Sequence, residues 1–349
     1  MEFGLQFFPV VGPEDKPADQ YWAECLHLTE LADQLGYTHV RTVEHHFQKY
    51  GGYSPPPHIF LTAASMKTKN MRLVSGAVQP VFNNPLKIAG EIGMLDAISG
   101  GRLECGFARA FLPVEFDAFN RPLDESKARF LEGIEQVGQL LEGENVTCDG
   151  EFHSFRDVTI LPRTTQKPRP PFWIAALVTP ESFEFAGANG YNLMAIPLIG
   201  SKMEKLIKIY RNAWKSAGHA GNGRVMLAHH MFCHEDHETA LEIARAPLNQ
   251  YLKTLVNGAS SWLEGSSSND YPGYDKIIEQ LAKETADTQI EKSAALVGSP
   301  KKLIEQIKSY QDSTGGFDIA SLQVSFSDLP LQVAEDSMRL FAEEVIPYV

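Results

Sequence analysis

The chain has 349 residues, 43% of them hydrophobic and 21% charged, a globular balance that buries a large core without disulfide or metal staples. A formal net charge of -13 repels phosphate backbones and anionic lipids, which argues against nucleic-acid and membrane partners while leaving room for a local basic pocket around an anionic cofactor. The four cysteines (Cys25, Cys105, Cys148, Cys233) show no CxxC spacing, the first residues predict no signal peptide, and no apolar run reaches membrane length, so a reducing cytoplasm is the expected location.

Short apolar strands alternate with longer helical segments. Residues 2–8 read as strand one, and 19–35 follow as an amphipathic helix with Trp22, Cys25, Leu28, Leu31, Ala32 and Leu35 at helical spacing. Strand two is 39–45 and strand three is 72–78, with a helix over 85–98. Strand four is 102–108, before a helix over 126–141. The segment 144–171, with a strand-like pair around 152–161 and a proline-bearing run, reads as a surface excursion. Strand five is 172–177, with a helix from 180; strand six is 191–197 and strand seven 224–233. Residues 258–292 are rich in Ser, Gly, Asn and Asp, end in a charged helical piece, and read as a mobile insertion that covers a barrel mouth as a lid. Strand eight is 321–326, and the final helix is 331–345.

Eight strands in one βα series imply a parallel sheet, open or closed. The first turn lacks GxGxxG, and eight similar units favour closure, so the fold class is an α/β (β/α)8 TIM barrel with insertions, one domain over 1–349.

Catalytic side chains of such a barrel come from strand ends. Strand two ends in Glu44-His45-His46, where a strand turns only one of the two imidazoles toward the mouth, as a general base or hydrogen-bond donor. Strand three ends in Gly76-Ala77, small enough for close approach of a flat ligand or simply for tight packing. Arg109, just past strand four, suits a phosphate; its alternative is a salt bridge to Glu115 or Asp117. After strand five, Thr179 reads as an N-cap with Pro180 next, and the free N–H groups around Glu181 and Ser182 could hold an anion. His229, His230, His234 and His237 match no zinc spacing, so no metal site is expected. Phe7, Phe8, Phe107, Phe111 and Trp173 suggest an apolar lining and a mostly apolar substrate.

Three segments, VEHHFQKYGG at 43–52, MLDAISGGRLECGFARA at 94–110 and the C-terminal GYD at 273–275, LVGSP at 296–300 and EVIPYV, resemble the bacterial luciferase-like family of flavin-dependent monooxygenases over nearly the whole chain. The resemblance implies a barrel that takes reduced FMN as cosubstrate from a separate flavin reductase, uses dioxygen to oxidise a small organic molecule, and forms a homodimer. It implies that His45 is the catalytic histidine, assisting the oxygenated flavin or acting as a base. It further implies that Arg109 binds the flavin phosphate and that Gly76-Ala77 is a non-proline cis peptide beneath the flavin ring.

The chain also departs from that pattern. Ala108 stands where luciferase has a reactive cysteine, and Lys127 stands where an arginine meets the phosphate, with Arg129 as a possible substitute. Leu177-Val178 replaces a polar Glu-Ser pair, leaving phosphate contacts to Thr179, Glu181 and Ser182. Two other readings stay open: a deazaflavin-dependent hydride-transfer oxidoreductase, which would consume no oxygen, and a non-catalytic flavin-binding subunit. The resemblance implies natural-product biosynthesis as a setting for the monooxygenase reading.

Overall fold

The computed structural model describes residues 1–349. Its strands in chain order are β1 (Glu2–Phe7), β2 (His39–Thr42), β3 (Arg72–Val78), β4 (Leu103–Phe107), β5 (Val146–Asp149), β6 (Ser154–Val158), β7 (Phe172–Ala176), β8 (Asn192–Ala195), β9 (Val225–Cys233), β10 (Ala295–Gly298) and β11 (Ile319–Gln323). β1, β2, β3, β4, β7, β8, β9 and β11 pair in parallel, and β11 returns to β1, closing an eight-strand (β/α)8 barrel. Helices lie between the strands; each presents an apolar stripe, such as Tyr21, Cys25, Leu28 and Leu31 of the helix Ala18–Leu35, to the sheet.

The excursion and the sheet beside β9 differ from the sequence reading. The hairpin of the excursion is β5–β6, earlier than 152–161, because the Glu132 carboxylate accepts the N–H groups of Phe152 (3.1 Å) and His153 (2.7 Å) and fixes the turn there. β10 is an additional strand: β9 is nine residues long, and its upper half, His230 to Cys233, pairs with Ala295–Gly298 beyond the barrel ring.

Alternate residues of each strand face the axis. The lower interior is plugged by Val74, Trp173, Met194, Met226 and Ile319. Trp173 Nε1 donates to Glu104 Oε2 at 2.7 Å, and Glu104 Oε1 accepts from Arg72 Nε at 2.8 Å, so the charge at the bottom is paired. Above this plug Ala175 and Ala228 face the axis yet remain partly exposed, so the C-terminal mouth is hollow down to that level. All four cysteines are free, and no helix is long and apolar enough to cross a membrane.

Candidate active site

β2 ends at Thr42, three residues earlier than its sequence suggests. There the chain leaves the sheet: Ser54 Oγ donates to Val43 O at 2.6 Å, and His45 N–H donates to Ser54 O at 3.2 Å. The one-in, one-out alternation therefore does not govern His45 and His46. Both meet the same carboxylate, Glu115 on the helix Pro113–Ala118. Glu115 Oε1 lies 3.0 Å from His45 Nδ1 and accepts His46 N–H at 2.8 Å. Glu115 is fully buried and His45 is 7% exposed. A carboxylate oxygen accepts, so Nδ1 carries the proton, and in the neutral ring Nε2 presents a lone pair. The imidazole packs against Phe8 (ring centroids 5.4 Å), Tyr50 (5.3 Å) and Phe111 (6.0 Å). Gly51, at φ +81°, makes room for it; a Cβ there would fall 2.5 Å from His45 Cβ.

The Gly76-Ala77 bond is a cis peptide. Just beyond it Gln79 is locked to the strand-two exit: its N–H donates to Glu44 Oε2 (2.9 Å) and its Nε2 to Glu44 O (2.8 Å). Asn83 Nδ2 donates to Glu44 Oε1 (2.7 Å), and His46 Nε2 lies 3.3 Å from that oxygen. This carboxylate is thus committed to holding the loops after β2 and β3 together.

Arg109 makes neither of the ion pairs expected as its alternative, because Glu115 is turned to the histidines. Its guanidinium instead lies over the ring of Tyr271, 4.3 Å from the centroid. Tyr271 belongs to the insertion, which folds as a 3-10 turn (Ser260–Trp262) and the helices Tyr274–Leu281 and Ala286–Glu291. Trp262, Tyr271 and Tyr274 are buried. Trp262 Nε1 donates to Phe111 O (2.8 Å), Tyr271 OH to Ala110 O (2.9 Å), and Asp270 Oδ2 accepts Ser126 Oγ (3.0 Å) and Lys127 N–H (2.8 Å). The insertion therefore sits directly over the loop after β4.

β4 and β7 are neighbours, so Arg109 and the start of the helix Pro180–Ala188 leave adjacent strand ends. Thr179 stands at the N-cap but its side chain makes no capping bond, leaving its hydroxyl free. Glu181 is exposed and Ser182 half-buried, with Ser182 N–H turned back to Thr179 O at 3.0 Å. Lys127 is exposed at the start of the next helix, Ser126–Glu142. Arg129 is engaged elsewhere, paired with Glu125 (2.6 Å) and stacked on Phe152 (4.1 Å).

Of the five aromatics expected to line the mouth, Phe8 and Phe111 reach it. Phe7 and Phe107 point outward, against Phe60 and Phe172, and Trp173 lies in the plug below. Strand alternation separates Phe7 from Phe8. His229 and His230 likewise face opposite sides of β9, and nowhere do three metal-ligating side chains converge.

Residues 1–315 match the sequence model of the luciferase-like monooxygenases. The oxygenase component of the flavin-dependent trigonelline monooxygenase of Acinetobacter baylyi is 28% identical over 336 residues, covering 94% of this chain and 90% of that protein. The crystal structure of monooxygenase RslO1 from Streptomyces bottropensis superposes with a TM-score of 0.88 at 40% identity, covering 99% of each chain. The coenzyme F420-dependent tetrahydromethanopterin reductase of Methanopyrus kandleri shares the fold (TM-score 0.73, 19% identity, 99% and 98% covered).

Proposed function

The chain belongs to the luciferase-like monooxygenase family, and from that premise we propose that it oxidises a mostly apolar organic substrate with dioxygen and reduced FMN. The observation that carries this reading is the His45–Glu115 pair, held at the same barrel mouth as a phosphate-suited arginine that has no carboxylate partner.

The residues fit the cofactor. Arg109 and the uncapped helix start offer the phosphate a guanidinium, the Thr179 hydroxyl and the Glu181 backbone N–H, with the Ser182 hydroxyl beside them and Lys127 adding charge. Ala108, Ala175 and Ala228 are small and partly exposed at the mouth, leaving space for a flat ring above the Gly76-Ala77 backbone. When bound, reduced flavin supplies the electrons that activate dioxygen. His45 Nε2 then accepts or returns a proton at the reacting centre, Glu115 holds the imidazole in that tautomer, and the insertion excludes bulk water.

A separate reductase supplies the reduced flavin, since the chain has no nicotinamide fingerprint. We place the enzyme in the cytoplasm, where its free cysteines stay reduced. Ile59 and Met66 on the helix Pro57–Lys67, with Met94 and Ile98 on the neighbouring helix Pro85–Ile98, are exposed, and we assign this apolar face to a homodimer contact. The test is isotopic. With a flavin reductase, FMN and labelled dioxygen, a panel of apolar aromatic and aliphatic compounds should yield a product containing one labelled oxygen. Oxidised product without label would overturn the monooxygenase reading.

A further inference from the structure

The barrel axis carries a charge that His45, Glu115 and the phosphate groups do not account for. Arg41, on β2, is 7% exposed and shares the inward face with Gln6 and Val74. Its Nη2 donates to Gln6 Oε1, its Nη1 lies 3.5 Å from Met194 Sδ across the barrel, and its Nε has no partner. Thioether and carboxamide satisfy part of its hydrogen bonding, but no carboxylate neutralises it. Burial lowers its pKa to about 10, so it stays cationic at neutral pH. Gly76 gives it passage, because a Cβ there would fall 2.3 Å from Arg41 Cδ. A buried, uncompensated cation is costly, and such a group is retained most readily where a ligand brings the missing charge.

The guanidinium rests on the Met194 layer of the plug, immediately below the level at which Ala175 and Ala228 are exposed, so it forms the floor of the mouth. The wall above it is aromatic. His230 faces the axis with its Nε2 unpartnered; burial and neighbouring His229 hold its pKa at about 3, so the imidazole is neutral. Its ring meets Tyr251 at 4.2 Å and Phe326 at 5.3 Å, and Tyr251 continues to Phe8 (5.9 Å) and Tyr50 (6.3 Å). Arg109 and the helix start at Thr179 lie past β4 and β7, away from this β1–β2–β9–β11 wall.

We propose that the floor of the barrel mouth is a subsite for an ionised oxygen on a planar aromatic or enolic substrate. The phenolate or enolate charge meets Arg41, and the conjugated ring lies among Phe8, Tyr50, Tyr251 and Phe326 beside neutral His230. The ionised form is also the more electron-rich partner for an electrophilic oxygen donor. This inference rests on the mouth being the substrate chamber of the proposed enzyme.

The test uses the whole chain without flavin and 4-nitrophenol as probe, because absorbance distinguishes its ionised from its neutral form. The native protein should bind the phenolate and shift the probe's ionisation to lower pH. Arg41→Met should weaken phenolate binding by roughly tenfold or more while changing the affinity for uncharged 4-nitrotoluene by less than about twofold, and Arg41→Lys should restore part of the loss. Arg41→Met should melt no lower than the native protein, since it removes an unpaired buried charge. Equal phenolate binding by native and Arg41→Met protein, or a clearly lowered melting temperature, would overturn the proposal. Selective loss of reduced-FMN binding in Arg41→Met with phenolate binding intact would assign the cation to the flavin and also overturn it. Failure of the native protein to bind reduced FMN while it still binds phenolate would sink the monooxygenase reading and leave the subsite standing.

Discussion

Replacing Glu115 with alanine removes one buried oxygen that accepts from His45 Nδ1 at 3.0 Å and from His46 N–H at 2.8 Å. Hydrogen bonds to a charged group contribute about 1.5–3 kcal/mol each, and both donors would be left in a fully buried site, so Glu115→Ala should lose about 3–6 kcal/mol of stability. Glu115→Gln is the sharper variant. Both bonds end on Oε1, and Oε2 has no partner, so a carboxamide oxygen can keep both bonds while its amide replaces the idle oxygen. Its stability cost should be about 1–3 kcal/mol, for a buried amide nitrogen whose two N–H donors lack acceptors. The carboxylate charge facing the imidazole is gone, however, so Glu115→Gln should bind reduced FMN normally and lose turnover by roughly tenfold or more. Urea unfolding monitored by circular dichroism reads the stability order, and oxygen uptake with product analysis reads the turnover. If Glu115→Ala were as stable as native, or Glu115→Gln as unstable as Glu115→Ala, the assignment of both bonds to one carboxylate oxygen would be wrong.

Other expectations follow from the same geometry. Gly51→Ala places a methyl group in the space of the His45 ring at a φ of +81°, and it should abolish turnover while flavin titration shows near-native affinity. Arg109→Ala should weaken reduced-FMN binding by roughly tenfold to a hundredfold, read by anaerobic titration, with Arg109→Lys intermediate. Trp262→Ala removes a buried ring and its bond to Phe111 O, costs about 3–5 kcal/mol if the void does not collapse, and should raise hydrogen peroxide release per turnover as water enters. Burial holds His39 and His230 at pKa values of about 3 and His229 at about 4, all below the unfolded value of 6.5. Between those values the unfolded chain binds more protons, so stability should be present above pH 6.5 and fall as pH drops toward 4, with up to three protons taken up on unfolding. Stability that stays flat from pH 7 to pH 5 would contradict that burial.

The barrel strands were legible because each is a short apolar run between turn residues, and the helices because their buried stripes recur at helical spacing. β10 was not, since Ala295–Gly298 is four residues long and exists by pairing with the protruding half of β9. His45 and Arg109 were legible as polar residues at strand ends. Glu115 was visible only as a possible partner of Arg109: it stands on a six-residue helix 70 positions from His45, and only the folded loops bring the two together. Arg41 drew no reading from the sequence, because alternation gives a face but not whether a carboxylate waits opposite. Phe7 and Phe107 were misassigned to the mouth although alternation argued otherwise for the Phe7–Phe8 pair. The insertion read as polar loop because Trp262, Tyr271 and Tyr274 are three isolated aromatics whose joint docking over Arg109 and Phe111 depends on tertiary contact.

The most direct test of the central claim is an anaerobic titration of the whole chain with reduced FMN and, in parallel, with reduced deazaflavin, followed by rapid mixing with oxygen. One reduced FMN should bind per chain, the deazaflavin should bind more weakly, and the protein-bound flavin should consume oxygen. Preferred binding of the deazaflavin without oxygen consumption, or no binding of reduced FMN, would contradict that claim.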